Sequence, residues 1–327
     1  MNQKLLNILC CPKCQSDLEL KTDDVGEINE GLFKCLKCGK EYPITNGIPR
    51  FVELDNYASS FGYQWNIFRK EQLDTYNGTN LSADRLWGET KWDPNALSGE
   101  WILDAGCGAG RFLDIASQTA AEVVGIDISN AIDASKENLK GRPNLHLIQS
   151  SIYELPFKPG AFDKIYCIGV IQHTPDPEKT VRVLPRFLKK GGEIAVTIYE
   201  KRKWFTMLYS KYWFRPITKR MSKEGLLKVI EGVMPVAFPV TSFLFRLPGL
   251  GKFFAFVIPV ANYVDEKDLS DKQRYQWAVL DTFDMLSPQY DQPQTEADVV
   301  KYLKEEGISD ISRATNFGLN LIGKRKA

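Results

Sequence analysis

The chain has 327 residues, with 42 Lys and Arg against 41 Asp and Glu and a net charge of +1. That length suits about two domains with a sizeable core, and 43% apolar with 25% charged residues is the make-up of a folded globular protein, not a disordered or collagenous one. The balance excludes a partner chosen by whole-chain charge, although residues 201–228 hold nine Lys or Arg against one Glu and leave the remainder at −7. The start, MNQKLLNILCCPKC, lacks the apolar core and small-residue site of a secretory signal. The longest uncharged run, 232–245, is shorter than the roughly 20 residues a bilayer span needs. Seven cysteines without such a signal predict a reducing compartment. The expected location is cytoplasmic, at most peripheral to the inner face of a membrane.

The first fifty residues hold two C-x-x-C pairs, Cys11 with Cys14 and Cys35 with Cys38. Each pair sets two thiolates on one tight turn, and the two pairs close a tetrahedral four-sulfur shell suited to structural zinc. A redox dithiol is the alternative, and two paired knuckles argue against it. Cys10 reads as a spectator, because Pro12 suits the turn that starts at Cys11. Polar hairpin material lies between the pairs, and KEYPITNGIPRFV reads as strand, Asn46-Gly47 turn and strand. So short a segment builds little core, and metal binding would supply much of its folding energy. From ILCCPKC to GIPRFV, about residues 5–54, the chain resembles the small zinc-ribbon activator that partners tRNA and protein methyltransferases. The resemblance implies a scaffold or partner-contact role for a domain 1–54.

After a linker, strands near 100–104, 122–127, 144–149, 162–168 and 192–199 alternate with helices near 110–119, 130–140 and 178–189, the pattern of a doubly wound sheet. The glycines of WILDAGCGAG fall at the first strand–helix turn, where such a sheet binds its ligand. A dinucleotide site needs G-x-G-x-x-G, but the third glycine position is Arg111 and Gly110 comes one residue early. Asp104, two residues before Gly106, would repel a pyrophosphate and attract an amino acid's ammonium. The pattern therefore points to S-adenosylmethionine, not to a nicotinamide dinucleotide.

With ILDAGCGAGRF, VVGIDIS, YELPF, AFDKIYCIGVIQH and LKKGGEIAV in that order, residues 100–200 resemble a class I S-adenosylmethionine-dependent methyltransferase. The resemblance implies an α/β, Rossmann-like seven-stranded sheet, preceded here by the ribbon and interrupted by a helical insert. It also implies that Asp104, Gly106, Gly108 and Gly110 form the loop around the methionine part. Asp127 would accept from both ribose hydroxyls, Ile128 would pack on the adenine, and Ser151 beside Ile152 would stand where the family has an acid facing the adenine amino group. Expected boundaries are 55–200 for the core with an N-terminal lid helix, 201–275 for the insert and 276–327 for the rest of the core. There ISDISRAT and LNLIGK supply the last strands, after a helix capped by Thr295.

Methyl transfer asks a protein to position a nucleophile and help it lose a proton. His173, after the fourth strand, with Gln172 beside it, is the candidate for a hydroxyl acceptor, whereas His146 on a strand reads as structural. Tyr63, Gln64 and Trp65 are lid candidates, and Asp281, Asp284 and Tyr290 are further candidates for the acceptor pocket, although their stretch reads slightly better as a helix end and solvated linker. The insert interleaves cations with Trp, Tyr and Phe, which suits a lid over a small-molecule, sugar or lipid-linked glycan acceptor and peripheral membrane contact through residues 201–260. Nucleic acid fits less well, since the rest of the chain is acidic. The alternatives are an RNA methyltransferase with a zinc module and a non-catalytic scaffold of ribbon and Rossmann-like domain.

Overall fold

The computed structural model describes residues 1–52, 62–64, 67–315 and 318–326, with no side chains for 203–205; Trp65 lies outside the described residues. At the front, β1 (Leu18–Lys21), β2 (Gly31–Cys35), β3 (Glu41–Thr45) and β4 (Ile48–Pro49) form an antiparallel sheet in sequence order. Asn46 and Gly47 take φ of 52° and 68°, the left-handed conformation a two-residue hairpin requires where Thr45 pairs with Ile48. In β3, Tyr42 and Ile44 point inward and their neighbours outward.

The second sheet has seven strands: β5 (Trp101–Ala105), β6 (Glu122–Asp127), β7 (Leu145–Gln149), β8 (Phe162–Ile168), β9 (Leu188–Ile198), β10 (Ile308–Arg313) and β11 (Leu319–Arg325). Their order is β10-β11-β9-β8-β5-β6-β7, with β5 to β9 parallel and β11 antiparallel to both neighbours. The four residues Ile102–Ala105 and the four Val123–Ile126 are all buried, as in parallel strands covered on both faces. Covering helices are α1 (Leu81–Thr90), α2 (Arg111–Ala116), α3 (Ala131–Asn138) and α4 (Pro177–Val183). Because β5 pairs with β6 on one side and β8 on the other, the chain reverses its direction of winding at β5, and a crevice opens at the strand ends there.

The insert is helical, with α5 (Lys211–Thr218), α6 (Lys223–Leu244) and α7 (Gly251–Val257) followed by α8 (Asp271–Leu286) and then α9 (Glu296–Glu305). Thr295 caps α9 by accepting from the Asp298 amide. All but the last residue of the uncharged run noted in the sequence lies inside α6, a 22-residue helix long and apolar enough, by length and composition, to cross a membrane. It packs instead on α8: Leu226, Leu227, Ile230 and Met234 share a core with Ala278, Val279, Phe283 and Leu286.

The ribbon sits on the open β7 edge. The Phe51 amide donates to the Gln149 carbonyl at 2.8 Å, and Arg50 bridges β7 in parallel at Gln149. The Arg50 guanidinium grips Asp133 of α3 with two bonds, at 2.6 and 3.2 Å, and the Gln149 amide oxygen at 2.8 Å. Further along, the Cys10 amide donates to Pro156 at 3.0 Å and the Lys158 amide to Ile8 at 2.8 Å. Leu5, Leu9, Phe33 and Phe51 share one hydrophobic core with Ile148, Leu155, Phe157 and Phe162. An exposed strand edge is thus paired and covered by a segment of the same chain.

Candidate functional site

Strand order sets the site out along the ends of β8, β5, β6 and β7. One cavity of about 990 Å³ is lined by His173 after β8, Gly106 and Gly108 after β5, Asp127 and Ile128 at the end of β6, and Ser150 and Ile152 after β7. Gly106 has φ 95°, and a Cβ there would stand 2.6 Å from Val170, so the turn tolerates no side chain. One oxygen of Asp127 accepts from the Gly108 amide at 2.9 Å, and the other from the Ser129 amide and hydroxyl at 2.8 and 2.6 Å. Burial raises the Asp127 pKa above the usual carboxylate range, and these donors oppose the shift.

Seven predicted residues stand elsewhere than on the cavity wall, among them buried Gln64 and Tyr290, whose carbonyl faces His173. Asp104 lies inside β5 opposite Tyr166 of β8, off the cavity lining, and its burial pushes its carboxyl well up. Gly110 has φ 94° and opens α2, where a Cβ would meet Leu139 at 2.9 Å, so its need is packing. Ser151 accepts from the Tyr153 amide as a helix cap, and its neighbour Ser150 lines the cavity in its place. Gln172 is buried and donates to the Gly169 carbonyl at 2.8 Å, bracing the turn before His173. Tyr63 packs against the insert, its ring 6.2 Å from Phe283.

His173 Nδ1 lies 3.0 Å from the Tyr290 carbonyl, which only accepts, so this nitrogen carries the proton and Nε2 holds the lone pair of the neutral ring. The ring meets Tyr199 edge-on at 5.5 Å. Tyr199, Asp281, Asp284, Lys211 and Tyr212 continue the wall beyond it. Lys211 pairs with buried Asp291 at 2.8 Å, and the Tyr212 hydroxyl donates to the same carboxylate at 3.1 Å. Asp284 is raised chiefly by burial, with His173 opposing. Asp281 is pushed up to about 7 by burial and then by Asp284, while Arg111 and Arg85 oppose.

Arg85, Tyr199 and Lys211 are wall residues that the sequence reading passed over. Arg85 Nε is held by buried Glu89 at 2.9 Å, and Glu89 in turn takes the Thr197 hydroxyl at 2.6 Å. Only the four-residue Arg85–Glu89 spacing was visible in the sequence, and that spacing also marks ordinary solvated helices. Arg111, noted as the departure from the dinucleotide pattern, is half-buried on the wall, donating to Ser82 at 3.0 Å and Gln72 at 3.1 Å.

Away from this cavity, the sulfurs of Cys11, Cys14, Cys35 and Cys38 all lie within 4.8 Å of one another. Cys11–Cys38 is 3.7 Å and Cys14–Cys35 is 3.4 Å. A tetrahedron with metal–sulfur bonds of ~2.3 Å has edges of about 3.8 Å, so the four residues fit a zinc ion.

Residues 103–196 match the family model described as methyltransferase domain, and residues 2–47 match that of Trm112p-like protein. The chain thus carries a segment similar to Trm112p-like proteins ahead of one similar to methyltransferase domains. Over 108 residues it is 34% identical to a ubiquinone biosynthesis O-methyltransferase of Azoarcus sp., a match covering 30% of this chain and 43% of that protein. The like-named protein of Albidiferax ferrireducens is 35% identical over 100 residues, 29% of this chain and 40% of that one. The chain thus spans less than half the length of the curated relatives it matches. Among solved structures, an S-adenosylmethionine-dependent methyltransferase from Aquifex aeolicus aligns with 83% of this chain and 98% of its own, at 14% identity and a TM-score of 0.42.

Two outcomes follow from this geometry. Chelation of the ribbon metal lowers the melting temperature by at least about 5 °C and raises hydrogen exchange at the Cys10, Phe51 and Lys158 amides, which bond across the junction. An unchanged melt would mean that the four sulfurs hold no structural metal. For Asp281, the folded-state pKa of about 7 exceeds the ordinary carboxyl value of 3.8, so the folded protein holds the proton longer and stability falls as pH rises between those values. Asp281→Asn therefore stabilises the apo protein at pH 8 by up to about 4 kcal/mol, and denaturant melts show the gain vanishing near pH 4.

Proposed function

We propose that the chain is an S-adenosylmethionine-dependent methyltransferase acting on the hydroxyl of a small molecule, a sugar or a lipid-linked glycan. The observation that carries this reading is a single cavity holding both the glycine turn with Asp127 and the His173–Tyr199–Asp284 wall. Bound S-adenosylmethionine supplies a methyl carbon activated on a sulfonium. The turn of Gly106 and Gly108 lines the cavity where its methionine part would lie, and Arg85, braced by Glu89, presents a guanidinium on the same wall for a carboxylate. Asp127 accepts from the ribose hydroxyls, and Ile128 with Ile152 flanks the adenine.

At the other side of the crevice His173 is the proton acceptor. Its Nδ1–H is committed to Tyr290, which fixes the ring and leaves Nε2 as the basic atom. Once protonated, the imidazolium is stabilised by the Tyr290 carbonyl and the nearby Asp284 carboxylate. Gln172 holds the turn that aims the ring. The O-methyltransferase names of the sequence relatives agree with a hydroxyl acceptor.

The test is transfer of a radiolabelled methyl group to panels of phenolic, glycan, lipid-linked and RNA acceptors. His173→Ala should lower kcat on the accepted hydroxyl by 10²-fold or more, within the range of a lost general base, while His173→Gln leaves cofactor affinity unchanged. Wild-type rates in both variants would remove His173 from the chemistry.

A further inference from the structure

The methyl-transfer site leaves the outer surface of the insert unused. Sixteen large apolar side chains are exposed among the described residues, and twelve of them fall between Met207 and Phe253. On α6, Val229, Val233, Val236, Val240 and Phe243 recur at spacings of four and three residues, so they form one stripe along the helix. The face carrying Leu226, Leu227, Ile230 and Met234 is already buried against α8. Exposed Trp213, Phe214 and Ile217 on α5, and Leu250 and Phe253 at α7, extend the apolar surface before and after the stripe in the chain. Concentrations of this kind mark interaction sites on soluble proteins.

Charge identifies the partner. Lys219, Arg220, Lys228, Arg246 and Lys252 are exposed in this span, against Glu224 and Glu231 as its only acids. Lys228 adjoins Val229 at one end of the stripe, and Arg246 follows Phe243 at the other. We infer that the insert docks on an anionic lipid bilayer, with the α6 stripe entering the headgroup–acyl boundary and its flanking cations meeting the headgroups. A second copy of this surface would bring like charges together, which opposes self-association through it. A nucleic acid would match the charge, but four of the five stripe residues are valines, which offer no ring for base stacking.

The helix lies along the membrane and does not cross it. Crossing would strip Leu226, Leu227, Ile230 and Met234 from their partners on α8 and carry Glu231 into the hydrocarbon. Lying flat keeps that packing and lowers the stripe by a few ångströms, the mode of an interfacial amphipathic helix.

The experiment is flotation of the full chain with vesicles of phosphatidylcholine alone and of phosphatidylcholine with phosphatidylglycerol, without cofactor or acceptor. Its result is therefore independent of the methyl-transfer reading. Wild type should partition to the anionic vesicles at least about 10-fold better, an advantage lost at high salt. Val236 and Val240 are 69% and 48% exposed, so V236D/V240D should lower partition at least about 10-fold with an unchanged circular-dichroism melt. K228E/R246E should remove the preference for anionic vesicles. Equal partition to both vesicles, or no loss in V236D/V240D, overturns the inference. So does a dimer in light scattering that V236D/V240D converts to monomer, because a second copy would then cover the stripe.

Discussion

The Asp127 carboxylate ties together the parts of the site. Through the Gly108 amide it reaches the turn after β5, and through Ser129 it reaches the start of the segment leading into α3. Two adjacent parallel strands are thereby joined at their tips, at the point where the sheet changes winding direction. The glycine turn can hold this position only because Gly106 yields its side-chain space to Val170, which leads into the turn carrying His173. Cofactor residues and the proton acceptor thus hang on one short chain of contacts across β6, β5 and β8.

The ribbon acts on the same frame from the far edge. Its bonds fall on Gln149, Pro156 and Lys158, which bracket the Ser150–Ile152 wall of the cavity. A metal-held module of about fifty residues is poorly stable by itself, yet here its apolar face merges with the core of the larger sheet. The four sulfurs gather the ribbon on itself, and the Arg50–Asp133 pair ties it to α3. Pairing the β7 edge in cis also closes a surface that would otherwise invite strand addition.

The elements that were legible in the sequence are those with a local physical signature. Two C-x-x-C pairs, the Asn46-Gly47 turn and the alternation of buried strands with helices each follow from nearest-neighbour chemistry, and the seven-stranded sheet assembles from them. Asp127 and the first two glycines are expected at the strand–helix turns from their types alone, and the structure puts all three on one cavity wall. Ser151 and Gln172 stand off the cavity wall for one reason: adjacency in sequence does not say which neighbour faces the cavity, and each spends its side chain on bracing the backbone. Arg85, Tyr199 and Lys211 had no signature, because they reach the wall from three separate elements that only the tertiary fold brings together. Membrane contact by the insert is expected from its interleaved cations and rings, but which face of α6 stays outward emerges only once the other face is packed on α8.

The central claim is that the Asp127 crevice binds S-adenosylmethionine, and calorimetric titration of that cofactor and its demethylated product tests it most directly. The account predicts micromolar binding to the zinc-loaded chain, weakened ~10-fold or more, at least about 1.4 kcal/mol, by Asp127→Ala. Absence of binding by the folded wild type, or equal binding by Asp127→Ala, would contradict it.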